Sequence, residues 1–247
     1  MNNKKRVLSI LIKIIAIASS IYGIYKTYFG PLSFTYFTTL SNIFITIILL
    51  IFLIKEIYDN MKKKELIYPN ILYIIKFLAT ISITLTFVVF LTLLAPTIEG
   101  GFLYAYIGNG AGSLCVHFIT PILAIFDFIF FDDEYQSKKS HAIYAIIPPL
   151  LYVLFVIILS NNGIRWGTMH APYNFLNYHA KTGWFGFDLS ILGWETLGIG
   201  VFYMIILLSI IFIIIGRIFL TLRNKIKNLK DIHKKWYNIK KIKYKQE

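Results

Sequence analysis

The 247-residue chain has a single cysteine, Cys115, so it can form no intrachain disulfide, CxxC motif or thiolate metal cluster. Charge is also scarce. Asp, Glu, Lys and Arg make up 15% of the residues, against about 25% in soluble domains. No Walker sequence, HExxH or GxSxG occurs, which removes the common nucleotide, zincin and serine-hydrolase motifs. Gly108, Gly110 and Gly112 form a GxGxG, but no strand pattern precedes them, so a dinucleotide fingerprint is not met. His170, His179 and Asp188 lack the i,i+3 or i,i+4 spacing of helical zinc ligands. The pattern calls for no metal and no cofactor.

What the chain has is hydrocarbon. Hydrophobic residues supply 57%, against roughly 45–50% in soluble proteins, and Ile alone occurs 46 times. A disordered chain is excluded and a soluble single-core enzyme is disfavoured. Lys outnumbers Arg 21 to 4, a bias that an AT-rich bacterial genome produces. Six apolar stretches reach the ~20 residues a bilayer requires, at about 7–28, 36–57, 70–95, 112–131, 142–160 and 193–221. The first is too long for a signal-peptide core and has no A-x-A site, so it reads as an uncleaved span. The expected fold is an all-α, six-transmembrane-helix bundle over residues 1–222, followed by a basic tail at 223–247.

Loop charge sets the expected orientation. Lys4, Lys5 and Arg6 precede the first span, Lys55 and Lys62–Lys64 lie around the second loop, and Lys138 and Lys139 precede the fifth span. Ten further basic residues lie between Arg223 and Lys245, whereas 29–35 and 96–111 have none. Both termini are thus expected in the cytoplasm. The tail reads as a helix lying on anionic headgroups rather than a nucleic-acid binder. The long loop 161–192 carries Trp166, Tyr173, Phe175, Tyr178, Trp184 and Phe187, which suits an aromatic extracytoplasmic cap or lid.

Ionisable residues inside hydrocarbon are costly and mark functional candidates. They are Lys13, Lys76, His117 and Asp127, with Glu195 and Arg217 near span ends. Thr38, His117 and Glu195 fall within ~5 residues of the same membrane face on three different spans, so they share one depth, beneath the aromatic loop. A threonine hydroxyl becomes a nucleophile when a base takes its proton, and a neutral imidazole can do so. Asp127 lies ten residues from His117 on the same helix, too far to orient it, which leaves Glu195 as the candidate orienter. Tyr36, Asn42 and Ser41 are candidate oxyanion donors. Pro121 removes the N–H that would bond the His117 carbonyl, so a kink with space beside it is expected. Lys76 and Asp127, both toward the inner face, are expected to form an ion pair. Asp132-Asp133-Glu134 reads as a solvated loop, Gly198 and Gly200 as points of close helix approach, and Pro148–Pro149 as a bend.

The segments Phe34-Thr-Tyr-Phe-Thr38-Thr-Leu-Ser-Asn42, His117-Phe-Ile-Thr-Pro121 with Phe126-Asp127, Pro148-Pro149-Leu-Leu-Tyr152, Pro172-Tyr-Asn-Phe175-Leu-Asn177 and Gly183-Trp184 carry a resemblance. In this order they resemble the bacterial Pr-six-Pr group of six-span membrane proteins. More distantly they resemble the eukaryotic androgen-induced and androgen-dependent TFPI-regulating proteins, threonine-dependent hydrolases of fatty acid esters of hydroxy fatty acids. The resemblance runs over about residues 7–221. It implies that Thr38 is the nucleophile and His117 the base, with Thr35 and Thr39 as alternative registers, and that the partners are membrane lipids and a lipid ester substrate. The alternative reading is a small transporter or ligand-binding membrane protein that uses the Lys76–Asp127 pair without catalysis.

Overall fold

The computed structural model describes residues 3–62, 67–108, 110–188 and 198–243, with no side-chain description for residue 3, residue 231 and 233–243. Six of its helices are long and apolar enough to cross a membrane: Lys4–Thr27, Phe37–Lys62, Asn70–Thr97, Gly112–Phe131, Lys139–Asn161 and Val201–Lys230, called spans one to six below. Leu103, Ile54 and Leu151 are 73%, 58% and 60% exposed, and span six shows Ile206, Ile210, Ile214 and Ile218 outward at every fourth position. A soluble monomer does not leave such stripes in water, because each costs the transfer energy that folding should recover. This is an integral membrane fold, all-helical among the described residues.

Spans one to four form a ring in which one packs on two, two on three, three on four and four on one. Span three is central, with 61% of its apolar window buried against 22% for spans five and six, which lean on its flank. Phe77, Ile81 and Ile83 of span three meet Ile45 and Leu49, Phe128 and Phe212 in the core. Spans one and four touch because Gly23 and Gly112 have no side chain. A Cβ on Gly23 would lie 2.6 Å from Val116 Cγ1, and one on Gly112 2.6 Å from Lys26 Cβ.

Local chemistry shapes three spans. Span four contains a π-helical turn at Cys115–Ile119 before the α-helix Thr120–Phe131 resumes, so its hydrogen-bonding is irregular immediately before Pro121. Span three contains a matching π-turn at Phe90–Leu94. Span five changes from a 3₁₀ helix, Lys139–Ile146, to an α-helix, Ile147–Asn161. Pro148 and Pro149 occupy the first turn of the latter, where a missing N–H costs nothing. Gly198 and Gly200 do not mediate helix packing. Gly198 has φ +63° in the turn before span six, and a Cβ on Gly200 would meet the Trp184 carbonyl oxygen at 2.4 Å. Span six continues unbroken as the helix Val201–Lys243 past position 223, and Arg223 is buried rather than solvated.

Candidate active site

Thr38 is the second residue of span two. Pro31–Thr35 forms a 3₁₀ turn, Tyr36 is extended, and the α-helix begins at Phe37. The backbone N–H of Thr38 therefore has no partner inside its own helix, and the positive end of the helix dipole lies at its hydroxyl. His117 occupies the π-turn of span four. Thr38 Oγ1 and His117 Nε2 are 3.4 Å apart. His117 Nδ1 donates to the Ser113 carbonyl at 3.0 Å, with Ser113 Oγ at 3.1 Å. Because a carbonyl only accepts, this bond puts the ring proton on Nδ1 and leaves the Nε2 lone pair facing the threonine. The imidazole lies flat on Phe90, with ring centroids 3.7 Å apart, so the two π-turns meet at this stack.

A third group comes from the long loop. The Tyr173 hydroxyl lies 3.4 Å from the Thr38 N–H and 3.5 Å from Thr38 Oγ1. The loop is pinned to the head of span two, where Trp166 Nε1 donates to Thr35 Oγ1 at 2.8 Å and the Tyr152 hydroxyl of span five to the Thr35 carbonyl at 3.0 Å. Thr38 opens onto an apolar cleft walled by Phe37, Leu85, Val89, Phe90, Tyr152, Leu176 and Leu208 among others. Spans two, three, five and six and the loop all contribute to it, but span four does not. Pro121 is itself buried and does not line this space.

Other expected residues sit differently. Tyr36 packs edge-on against the Tyr173 ring, 5.8 Å between centroids, so it braces the tyrosine that reaches Thr38. Asn42 is fully buried, and its amide donates to the carbonyls of Thr38 (2.8 Å) and Val116 (3.2 Å). With both protons engaged, it ties spans two and four together instead of facing a substrate. Ser41 Oγ lies 2.7 Å from Thr86 Oγ1. Thr35 is held by Trp166 and by its own bond to the Leu32 carbonyl, and Thr39 is buried. Glu195 lies outside the described residues. Sequence reasoning missed Ser113, Phe90 and Tyr173. The i,i+4 pair Ser113/His117 was the legible signal for the first, the place of Tyr173 in the aromatic loop above the site was the signal for the third, and nothing local pointed to Phe90.

At the opposite end of the bundle Lys76 Nζ lies 2.6 Å from Asp127 Oδ2, within a larger cluster than a pair. Lys76 also reaches Asp132 at 2.6 Å, and Lys13 bridges Asp127 at 2.6 Å and Glu56 at 2.9 Å. Lys13, Lys76 and Asp127 are wholly buried. Asp132 is 5% exposed and belongs to the cluster, not to a solvated loop. Burial, with Asp127 beside it, pushes its carboxyl up to about 6. No group of three or more His, Cys, Asp or Glu suited to a metal occurs among the described residues. Comparison of the chain with family models, with curated proteins and with solved structures gives no match.

Proposed function

We propose that this protein is an intramembrane hydrolase of fatty-acyl esters, with Thr38 as nucleophile and His117 as base. The observation that carries this reading is the 3.4 Å approach of Thr38 Oγ1 to His117 Nε2, with the Ser113 carbonyl fixing the tautomer a base requires. The distance is at the loose end of a hydrogen bond. The acyl chain lies in the apolar cleft and its ester carbonyl sits over Thr38. Thr38 Oγ1 attacks the carbonyl carbon as its proton passes to Nε2. The oxyanion faces the Tyr173 hydroxyl and the N–H of Thr38, which has no partner within its own helix. Collapse expels the alcohol, which takes the proton from His117. Water, deprotonated by the same imidazole, then frees the acid from the acyl-threonine. The resemblance of the Thr38 and His117 segments to the Pr-six-Pr group supports the same pair. The basic loops at the other end support a cell-membrane protein with both termini cytoplasmic and the site toward the outer leaflet.

Transport is less well supported. From the site a polar ladder runs through Asn42 and Ser20 to Thr46. Fully buried Ala16, Leu49 and Ala124 then occupy spans one, two and four before Lys13, Glu56 and Asp127 are reached. A fluorophosphonate probe should label purified protein at Thr38, identified by peptide mass spectrometry. Thr38→Ala and His117→Ala should abolish labelling, Thr38→Ser should retain part of it, and Tyr173→Phe should slow it roughly 100-fold. Undiminished labelling of a folded Thr38→Ala protein would end the reading.

A further inference from the structure

The lysine-rich end of the bundle holds its cations in two ways. Lys13, Lys76, Lys55, Lys5 and Lys230 each pair with a carboxylate. Arg223 spends its guanidinium on the Asp132 and Tyr135 carbonyls. Lys139, Arg217 and Lys225 have no carboxylate partner among the described residues. They converge instead on one groove, where span six passes the start of span five. No Asp or Glu lines the groove.

The placement of Arg217 limits what the groove accepts. It follows directly on the apolar run 201–216, about 24 Å of helix, so it stands at the edge of the hydrocarbon. An unpaired guanidinium there is costly unless an anion meets it. Lys225 lies two turns further along the same face, Lys139 comes from the facing span, and Asn228 adds an amide. From Arg217 back toward mid-membrane run the exposed Ile206, Ile210 and Ile214. A cationic pocket at the polar boundary thus continues into a hydrocarbon track. A soluble anion would use only the pocket, and a neutral lipid only the track.

We infer that this groove binds the phosphate headgroup of an anionic glycerophospholipid of the surrounding bilayer, whose chains lie along the isoleucine stripe. The guanidinium fork meets two phosphate oxygens, and the two lysines supply point charges around them. The inference is independent of the hydrolase reading, because the groove is at the other end of the molecule.

The test is native mass spectrometry of the full-length protein in neutral detergent, titrated with dioleoyl-phosphatidylglycerol or dioleoyl-phosphatidylcholine. The wild type should retain phosphatidylglycerol at least tenfold better. Arg217→Gln, Lys139→Gln and Lys225→Gln should each weaken it about fivefold, and the triple variant should lose the preference. Lys181→Gln, at the far end, should change nothing. All three groove cations are exposed, so the variants should fold, which unchanged thermal unfolding checks. Equal retention of both lipids by the wild type, or a preference that survives the triple variant, would overturn the proposal. So would displacement of the lipid by millimolar inorganic phosphate, which would mark the groove as a site for a soluble anion.

Discussion

Replacing Lys76 by methionine should damage the fold far more than replacing Asp127 by asparagine, although the two side chains touch. The reason is the census of the buried cluster, in which Lys13 and Lys76 face three carboxylates: Asp127, Asp132 and Glu56. Lys76→Met takes the cation from two carboxylates that each lie 2.6 Å away, leaving Lys13 alone to balance three acids. Breaking a buried pair in this way costs about 3–5 kcal/mol. At roughly 2–4 °C per kcal/mol in a chain of this length, the midpoint should fall by about 10 °C. Asp127→Asn keeps the shape and leaves two cations facing two carboxylates, with Lys13 still on Glu56 and Lys76 still on Asp132. Its cost is that of weakened bonds to one acceptor, about 2 kcal/mol. Combining the two changes should leave the protein more stable than Lys76→Met alone, because the surplus of negative charge shrinks. Fluorescence-detected thermal unfolding in neutral detergent reads all three variants. Equal damage from the single changes, or simple addition in the double, would refute the charge census.

Gly23→Ala should lower the unfolding midpoint by an amount matching about 1–3 kcal/mol, since the new methyl would meet Val116 Cγ1 at 2.6 Å and Cys115 Cβ at 2.9 Å in the turn that holds His117. An unchanged midpoint would show that spans one and four can part freely. With its carboxyl raised to about 6, Asp132 is protonated more readily in the folded than in the unfolded chain. The folded state then binds the extra proton between about pH 6 and 4, so the stability that Asp132 contributes should rise as pH falls through 6. The stability of the wild type relative to Asp132→Asn should therefore rise from pH 7 to 5, and a difference that stays flat or falls would contradict it. An impermeant amine reagent added outside intact cells should modify Lys181, whose side chain is 75% exposed, and spare Lys139. The reverse pattern would invert the proposed orientation.

The bilayer makes part of this protein legible from sequence alone. Hydrocarbon admits only a backbone that is satisfied internally, which an apolar run of ~20 residues achieves as a helix, so length and apolarity located the described spans without reference to any partner. Depth along a helix is likewise a one-dimensional quantity, and counting residues from the membrane face put Thr38 and His117 at one level, 3.4 Å apart in the structure. Rotation about each helix axis is not in the count. Span facing is set by packing, by the glycines at 23 and 112 and by the π-turns at 90–94 and 115–119, each of which rotates the residues beyond it. For that reason the cleft opens toward spans three, five and six, the amide of Asn42 is consumed between helices, and Phe90 covers the imidazole. The same limit hid the charge cluster. Lys76 and Asp127 were matched by depth, but Lys13, Glu56 and Asp132 join them only because spans one, two and four turn those faces inward, and a buried charge gathers every counter-charge within reach. Tyr173, more than a hundred residues from Thr38, reaches it through a loop whose path only tertiary contacts such as Trp166 on Thr35 could fix.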